Sequence, residues 1–147
     1  MELTQVQEEY LKIMYILGQT KNEIRVTDIA ERLDKSKASV NAAINTLKNE
    51  GVLEYEPYGK IELTELGKKA AKKIVEANDI VKLFLTEILG VKEEVAETEA
   101  SKMKSALCDD SINKLARYTY KTLGLVDLNC GYDINNDKCV ECLKNNN

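Results

Sequence analysis

Histidine is absent from all 147 residues, and that gap excludes a good deal. Without an imidazole there is no Ser-His-Asp or Cys-His nucleophile pair, no imidazole base and no histidine-ligated metal. No phosphate-binding glycine loop stands in the chain either, so no constellation supports an enzyme. Proline occurs once and glycine seven times, which leaves room for long uninterrupted helices. No apolar run approaches the roughly 18 residues that span a membrane. The first helical stretch carries Glu8, Glu9 and Lys12, unlike a signal peptide. These absences predict a cytoplasmic protein with no membrane partner.

What is present is a globular composition, 44% hydrophobic and 31% charged, which argues against disorder. The net charge of −4 counts against nucleic-acid binding, where a basic domain is the usual sign. Its distribution softens that. Residues 1–72 hold 11 Lys/Arg against 12 Asp/Glu, and residues 73–147 hold 10 against 13. Within 32–50, four basic residues (Arg32, Lys35, Lys37, Lys48) face two acidic ones (Asp34, Glu50), a local stripe able to approach phosphates.

Thr4-Gln5-Val6-Gln7 reads as a capping box before Val6, Tyr10, Ile13, Met14 and Leu17 at helical spacing, with Gly18 expected to end the helix. Thr27 is a candidate cap for a short helix carrying Ile29, Ala30 and Leu33. Asp34-Lys35 makes a tight connection, and Ser36 caps a third helix that ends at Gly51. The period then changes. Val52-Leu53-Glu54-Tyr55-Glu56 and Lys60-Ile61-Glu62-Leu63 are strand-like runs around the turn Pro57-Tyr58-Gly59. Thr64 opens a long helix predicted to run to Leu89 and stop at Gly90. Helices over about 92–107 and 110–123 follow, with a turn-rich tail over 125–147.

Helix, short helix, tight turn, helix and hairpin is the order of a winged helix-turn-helix. Its third helix must lock one side onto its partner and present the other, small and polar, to a major groove about 12 Å wide. Ala38, Ser39, Asn41, Ala42 and Asn45 are short, and Lys35, Lys37 and Lys48 flank them as phosphate partners. Asn41 and Asn45 suit adenine edges, and the alanines suit thymine methyls. The hairpin tip, with Tyr58 and Lys60, is expected against the backbone or minor groove. An ordinary solvated helix in a small bundle would carry the same amphipathic pattern.

Cys108, Cys130, Cys139 and Cys142 are spaced Cys-x21-Cys-x8-Cys-x2-Cys. In a reducing cytoplasm, four cysteines with one Cys-x-x-Cys pair read as metal ligands. The tail is too short for a hydrophobic core of its own, so a bound centre would order it. Zinc and an iron–sulfur cluster both accept four thiolates. One pair plus two isolated cysteines is an irregular arrangement for structural zinc, and a thiol switch is a third option.

Residues 5 to about 118 resemble the short form of the DtxR/MntR family, the diphtheria-toxin-repressor-like metalloregulators. The matching stretches are Glu9-Tyr10-Leu11-Lys12-Ile13-Met14-Tyr15, Arg25-Val26-Thr27-Asp28-Ile29-Ala30-Glu31-Arg32-Leu33 and Ser36-Lys37-Ala38-Ser39-Val40. They continue with Leu63-Thr64-Glu65-Leu66-Gly67 and Phe84-Leu85-Thr86-Glu87-Ile88-Leu89-Gly90. The resemblance implies a repressor that dimerises through its C-terminal helices and binds palindromic double-stranded operators. It adds Arg25 and Thr27 to the DNA-binding set.

The family's ferrous or manganous ion bridges the first helix to the dimerisation helices, and most positions that should ligate it are changed. Glu9 is kept, but Lys12 stands where a glutamate is expected, and Asn78 and Lys82 stand where the resemblance implies a histidine and a glutamate. The next helix offers Glu97, Ser101, Lys104 and Ser105. Hard divalent ions need several oxygen or imidazole ligands, so the usual binuclear site is absent. Lys12, Lys82 and Lys104 instead place ammonium groups toward Glu9 and Glu97, as ion pairs that do the metal's bridging or as a decayed, solvated surface.

The sequence thus predicts a mostly α fold: a winged-helix DNA-binding domain over 1–72, a helical dimerisation domain over 73–124 and a Cys-rich tail over 125–147. The expected function is a homodimeric transcriptional regulator of iron or redox homeostasis, sensing through a Cys-ligated [4Fe–4S] cluster, with structural zinc as the alternative. The iron-sensing relatives tip the cofactor toward the cluster. A protein-interaction module that has lost operator binding is the competing class, favoured by the acidic total charge.

Overall fold

A computed structural model describes residues 2–125 and 131–135. The chain divides into two compact units, Met1–Ile74 and Val75–Asn147. The fold is mostly helical, and among the described residues no helix is long and apolar enough to cross a membrane.

In the first unit, helix α1 spans Gln5–Thr20. Its capping box forms as the sequence requires: the Thr4 N–H donates to Gln7 Oε1 at 2.9 Å, and the Gln7 N–H donates to Thr4 Oγ1 at 3.2 Å. Gly18 does not end it. A single glycine costs a helix about 1 kcal/mol but does not break the ladder, and the Lys21 N–H still bonds the Leu17 carbonyl at 2.9 Å. Helix α2 spans Val26–Leu33, two residues earlier than a Thr27 cap would set it. The reason is Asp28, whose carboxylate reaches back to accept the Arg25 N–H at 2.9 Å and the Lys21 ammonium at 2.7 Å. Thr27 therefore sits inside the first turn. Asp34, at φ 52, makes the left-handed connection to α3, Lys37–Asn49, whose N-cap Ser36 accepts the Ser39 N–H at 3.1 Å.

Strands β1, Leu53–Tyr55, and β2, Ile61–Leu63, form an antiparallel hairpin in which Leu53 faces Leu63 and Tyr55 faces Ile61. Ile24 adds an isolated bridge to Ile61. Beneath them lies an apolar core that includes Leu11, Met14, Ile29, Val40, Ile44, Leu47 and Val52, each with no exposed surface.

Helix α4 spans Glu65–Leu83. Thr64 organises its start, donating to the Gly51 carbonyl at 2.7 Å and accepting the Gly67 N–H at 3.1 Å. The helix was expected to run to Leu89 as α-helix; it turns π-helical over Phe84–Ile88. Within that turn the Thr86 hydroxyl donates to the Lys82 carbonyl at 3.1 Å, a contact that Thr46 and Thr119 also make inside ordinary α-helix. Helices α5, Glu93–Ala106, and α6, Asp109–Thr122, complete the second unit. Its core holds Ile80, Val81, Leu85, Ala100, Ile112 and Ala116, together with Tyr132 and Ile134 from the tail. The tail, too short for a hydrophobic core of its own, lends these two residues, 5% and 3% exposed, to the core of the second unit.

Candidate nucleic-acid interface and cation site

The short polar face predicted on α3 is at the surface. Ser36, Lys37, Ala38, Ser39, Ala42 and Asn45 are all exposed, and Ala38, Ala42 and Asn45, spaced by four and three, share one side of the helix. Lys35 is exposed at the connection before them. Asn41 is different. It is half-buried, and its Oδ1 accepts the Tyr55 hydroxyl at 3.3 Å, while the Lys48 ammonium donates to the Tyr55 carbonyl at 2.8 Å. Both residues, predicted as base and phosphate partners, are thus tied to strand β1. Tyr55 was read only as a strand residue; its aromatic ring beside a helix asparagine gave no signal in one dimension.

At the hairpin tip Tyr58 is 97% exposed and holds φ 64, a conformation that costs a tyrosine some strain. Arg25 reaches the tip, donating to the Tyr58 carbonyl at 3.4 Å and to Glu23 at 3.0 Å. Lys60 pairs with Glu62 at 2.8 Å, which holds its ammonium above the ordinary lysine value. Thr27 is exposed on the first turn of α2. Exposed pairs such as these contribute little, so a phosphate can displace the carboxylates at small cost.

In the second unit, Lys82 on α4 meets α5. Its ammonium lies 2.7 Å from Glu97 Oε2 and 3.4 Å from Glu93 Oε1. The bond to Glu97 first, and that to Glu93 with it, raise the Lys82 pKa above its ordinary value. The partnership with Glu97 was predicted and Glu93 was missed; the spacing of four between Glu93 and Glu97 is the signal that could have found it. Asn78, one turn before Lys82, is 7% exposed, and its Oδ1 has no hydrogen-bond partner. Lys12 and Lys104 are half-buried and each engaged by a partner, while Glu9 is exposed. Among the described residues no group of three His, Cys, Asp or Glu is placed to hold a metal ion.

Of the cysteines, Cys108 alone is described; Cys130, Cys139 and Cys142 lie outside the described residues. Cys108 is the exposed N-cap of α6, with Sγ 3.5 Å from the Ser111 hydroxyl, and that contact pulls its thiol below the usual pKa. Residues 131–135 are fastened along α6. The Arg117 guanidinium donates twice to the Tyr132 carbonyl, at 3.1 and 2.9 Å, and Asn113 accepts the Ile134 N–H at 2.7 Å. Tyr132 also packs edge-on against Tyr120 and donates its hydroxyl to Glu76 at 2.5 Å.

Comparison with known families decides the assignment. Residues 2–61 match the family described as "Iron dependent repressor, N-terminal DNA binding domain", and residues 64–121 match "Iron dependent repressor, metal binding and dimerisation domain". The chain belongs to the iron-dependent repressor family. It is therefore built as a DNA-binding domain followed by a dimerisation domain, in a family of transcriptional regulators and not of enzymes. It is similar to an HTH-type transcriptional regulator of Methanocaldococcus jannaschii, 35% identical over 81% of this chain and 96% of that protein. It is also similar to the HTH-type transcriptional regulator MntR of Bacillus subtilis, 33% identical over 74% and 75% of the two chains.

Among solved structures, IdeR of T. acidophilum superposes with a TM-score of 0.69 at 25% identity, covering 91% of this chain and 60% of that one. A manganese-dependent transcriptional repressor solved with manganese superposes at 0.70 over 81% of this chain, and at 22% identity it shows the fold alone. The present chain spans 53% and 60% of the length of those two structures. The family implies a divalent metal in its second domain. The residues here do not fit one, because an ammonium group already stands between the two carboxylates, and the neighbouring Asn78 adds only a neutral amide oxygen.

Proposed function

We propose that the protein is a cytoplasmic, homodimeric regulator that binds a palindromic operator through α3 and the hairpin, and that it senses iron or redox status through its cysteines. The observation that carries the DNA-binding half is the exposed, short-side-chain face of Ala38, Ala42 and Asn45 set behind the capped start of α3. Lys35 and Lys37 at that start, and Arg25, Tyr58 and Lys60 around the hairpin, are the phosphate partners in this reading. Ser36 and Ser39 bond each other at the helix start, their hydroxyls 2.9 Å apart, and Thr27 with the α2 N-terminus supplies a further backbone contact. Asn41 and Lys48 act indirectly, fixing the hairpin against α3 through Tyr55.

The test is electrophoretic mobility shift with DNA from upstream of the protein's own gene, repeated over a range of salt. Specific binding whose log affinity falls linearly with log salt supports the reading. Complete absence of binding, with pull-down of a protein partner instead, would leave an interaction module.

In the sensing half, Cys108, Cys130, Cys139 and Cys142 together hold a [4Fe–4S] cluster. Support comes from the lowered Cys108 thiol at the N-cap of α6 and from the docking of 131–135 along the same helix. Anaerobic purification, a visible spectrum, and iron, sulfide and zinc per chain test it. Brown protein with iron matched by sulfide is the expected result; colourless protein with one zinc per chain replaces the cluster with a structural zinc.

A further inference from the structure

Two carboxylates four residues apart on α5, Glu93 and Glu97, converge on one point at the flank of α4. One turn back along α4, on the same face as Lys82, the amide oxygen of Asn78 is buried and without a partner. Converging carboxylates, with a spare amide oxygen on the same helix face, are the donor chemistry of a hard-cation site. Here the point of convergence is occupied by the Lys82 ammonium, whose side chain is only 29% exposed while those of Glu93 and Glu97 are 77% and 57% exposed. An ammonium supplies one positive charge and three donors at the place where a divalent ion would supply two charges. A metal entering this site would have to expel the lysine or sit against its charge. Nothing in this depends on how the chain reads DNA.

We propose that Lys82 is a built-in cation that closes the α4–α5 site against divalent metals, so that the second unit is held together without a metal ion. The contacts with Glu97 and Glu93 hold the ammonium at the point where the carboxylates converge. The chain keeps the family's dimerisation domain but replaces the exchangeable ion with a covalently attached one, which cannot report metal concentration.

The full chain, stripped with chelator, tests this with manganese alone, a hard ion that thiolates do not favour. Unfolding midpoint and the electron paramagnetic resonance signal of free Mn²⁺ are followed as the ion is added to about 1 mM, enough to fill a 10 µM site a hundredfold over and raise the midpoint by several degrees. For the natural chain the expected result is no midpoint shift and no loss of free-ion signal at one equivalent. Lys82→Glu is expected to take up one manganese per chain and to gain several degrees from it. Lys82→Met, which keeps the stem without the charge, is expected to unfold earlier than the natural chain and to recover part of the loss with manganese. Tight uptake of one manganese by the natural chain overturns the proposal. So does a failure of both variants to acquire any manganese response, because Lys82 would then not be what excludes the ion.

Discussion

The two units handle polar side chains in opposite ways. In the first, the buried side chains among those described are aliphatic save for Tyr10, and hydroxyls and a carboxylate work nearer the surface as caps and turn fasteners: Thr4, Asp28, Ser36 and Thr64. In the second, the interior includes Asn78, Asn113 and Thr119, the buried polar residues among those described. Buried polar groups must be answered in kind. Asn113 is answered by Asp133 and by the Ile134 N–H, Thr119 by the Leu115 carbonyl, and Asn78 Oδ1 by nothing. An apolar core can be repacked by many sequences, whereas these contacts name their partners. The first unit is an apolar support for an exposed helix face; the second is knit by polar contacts between named residues.

The comparison can be broken from either side. The largest effect is expected in the first unit, at Gly67, where an added Cβ would lie 1.8 Å from the Val52 carbonyl oxygen. Gly67→Ala forces backbone apart and should cost on the order of 3 kcal/mol or more in chemical denaturation. A loss under about 1 kcal/mol would mean that the start of α4 is looser than its packing implies.

Next comes Tyr132 in the second unit. Tyr132→Phe keeps the ring and removes the bond to Glu76, for an expected loss of about 1.5–3 kcal/mol, since the acceptor is charged. Burial, then the Glu76 carboxylate, hold the Tyr132 phenol far above its ordinary pKa of 10.0. A raised folded-state pKa gives stability that is fully present below 10 and drains away as pH climbs above it, when the unfolded phenol ionises and the folded one does not. Thermal melts of the two proteins compared from pH 8 to 11 should therefore converge at the alkaline end; a constant gap would remove the carboxylate–phenol bond as the cause.

The smallest effect is expected at Tyr55. Tyr55→Phe frees Asn41 at a cost of about 0.5–1.5 kcal/mol in stability, with a measurable change in discrimination between the operator and single-base variants of it. Unchanged discrimination would leave Asn41 a purely structural residue.

How much of this was readable in one dimension follows the same division. The capping box at Thr4, the cap at Ser36, the hairpin and the α3 stripe depend on neighbours a few residues apart, so spacing reveals them. Where local chemistry competed, as at Asp28 against Thr27, an element end moved. Glu93 and Tyr132 depend on partners 11 and 56 residues away, Lys82 and Glu76; the spacing of Glu93 from Glu97 hints at the first, and nothing local announces the second. The pairing of Lys82 with Glu97 was legible only because the family resemblance had already marked both positions. Of the four cysteines, the structure describes Cys108 alone.

The π-helical segment over Phe84–Ile88 has a consequence for how this chain can change. Its carbonyl of Phe84 is reached by the Leu89 N–H, five residues on instead of four. One residue more is thereby wound into that turn, and everything beyond it is displaced by one position, about 100° around the axis, from where a plain α-helix would put it. Buried Leu85 and exposed Leu89 are consequently counted in different frames. Removing a single residue from this stretch would not simply shorten the helix; it would rotate the exit toward α5 by more than a quarter-turn, making this the place where one codon's gain or loss resets which side of α5 faces inward.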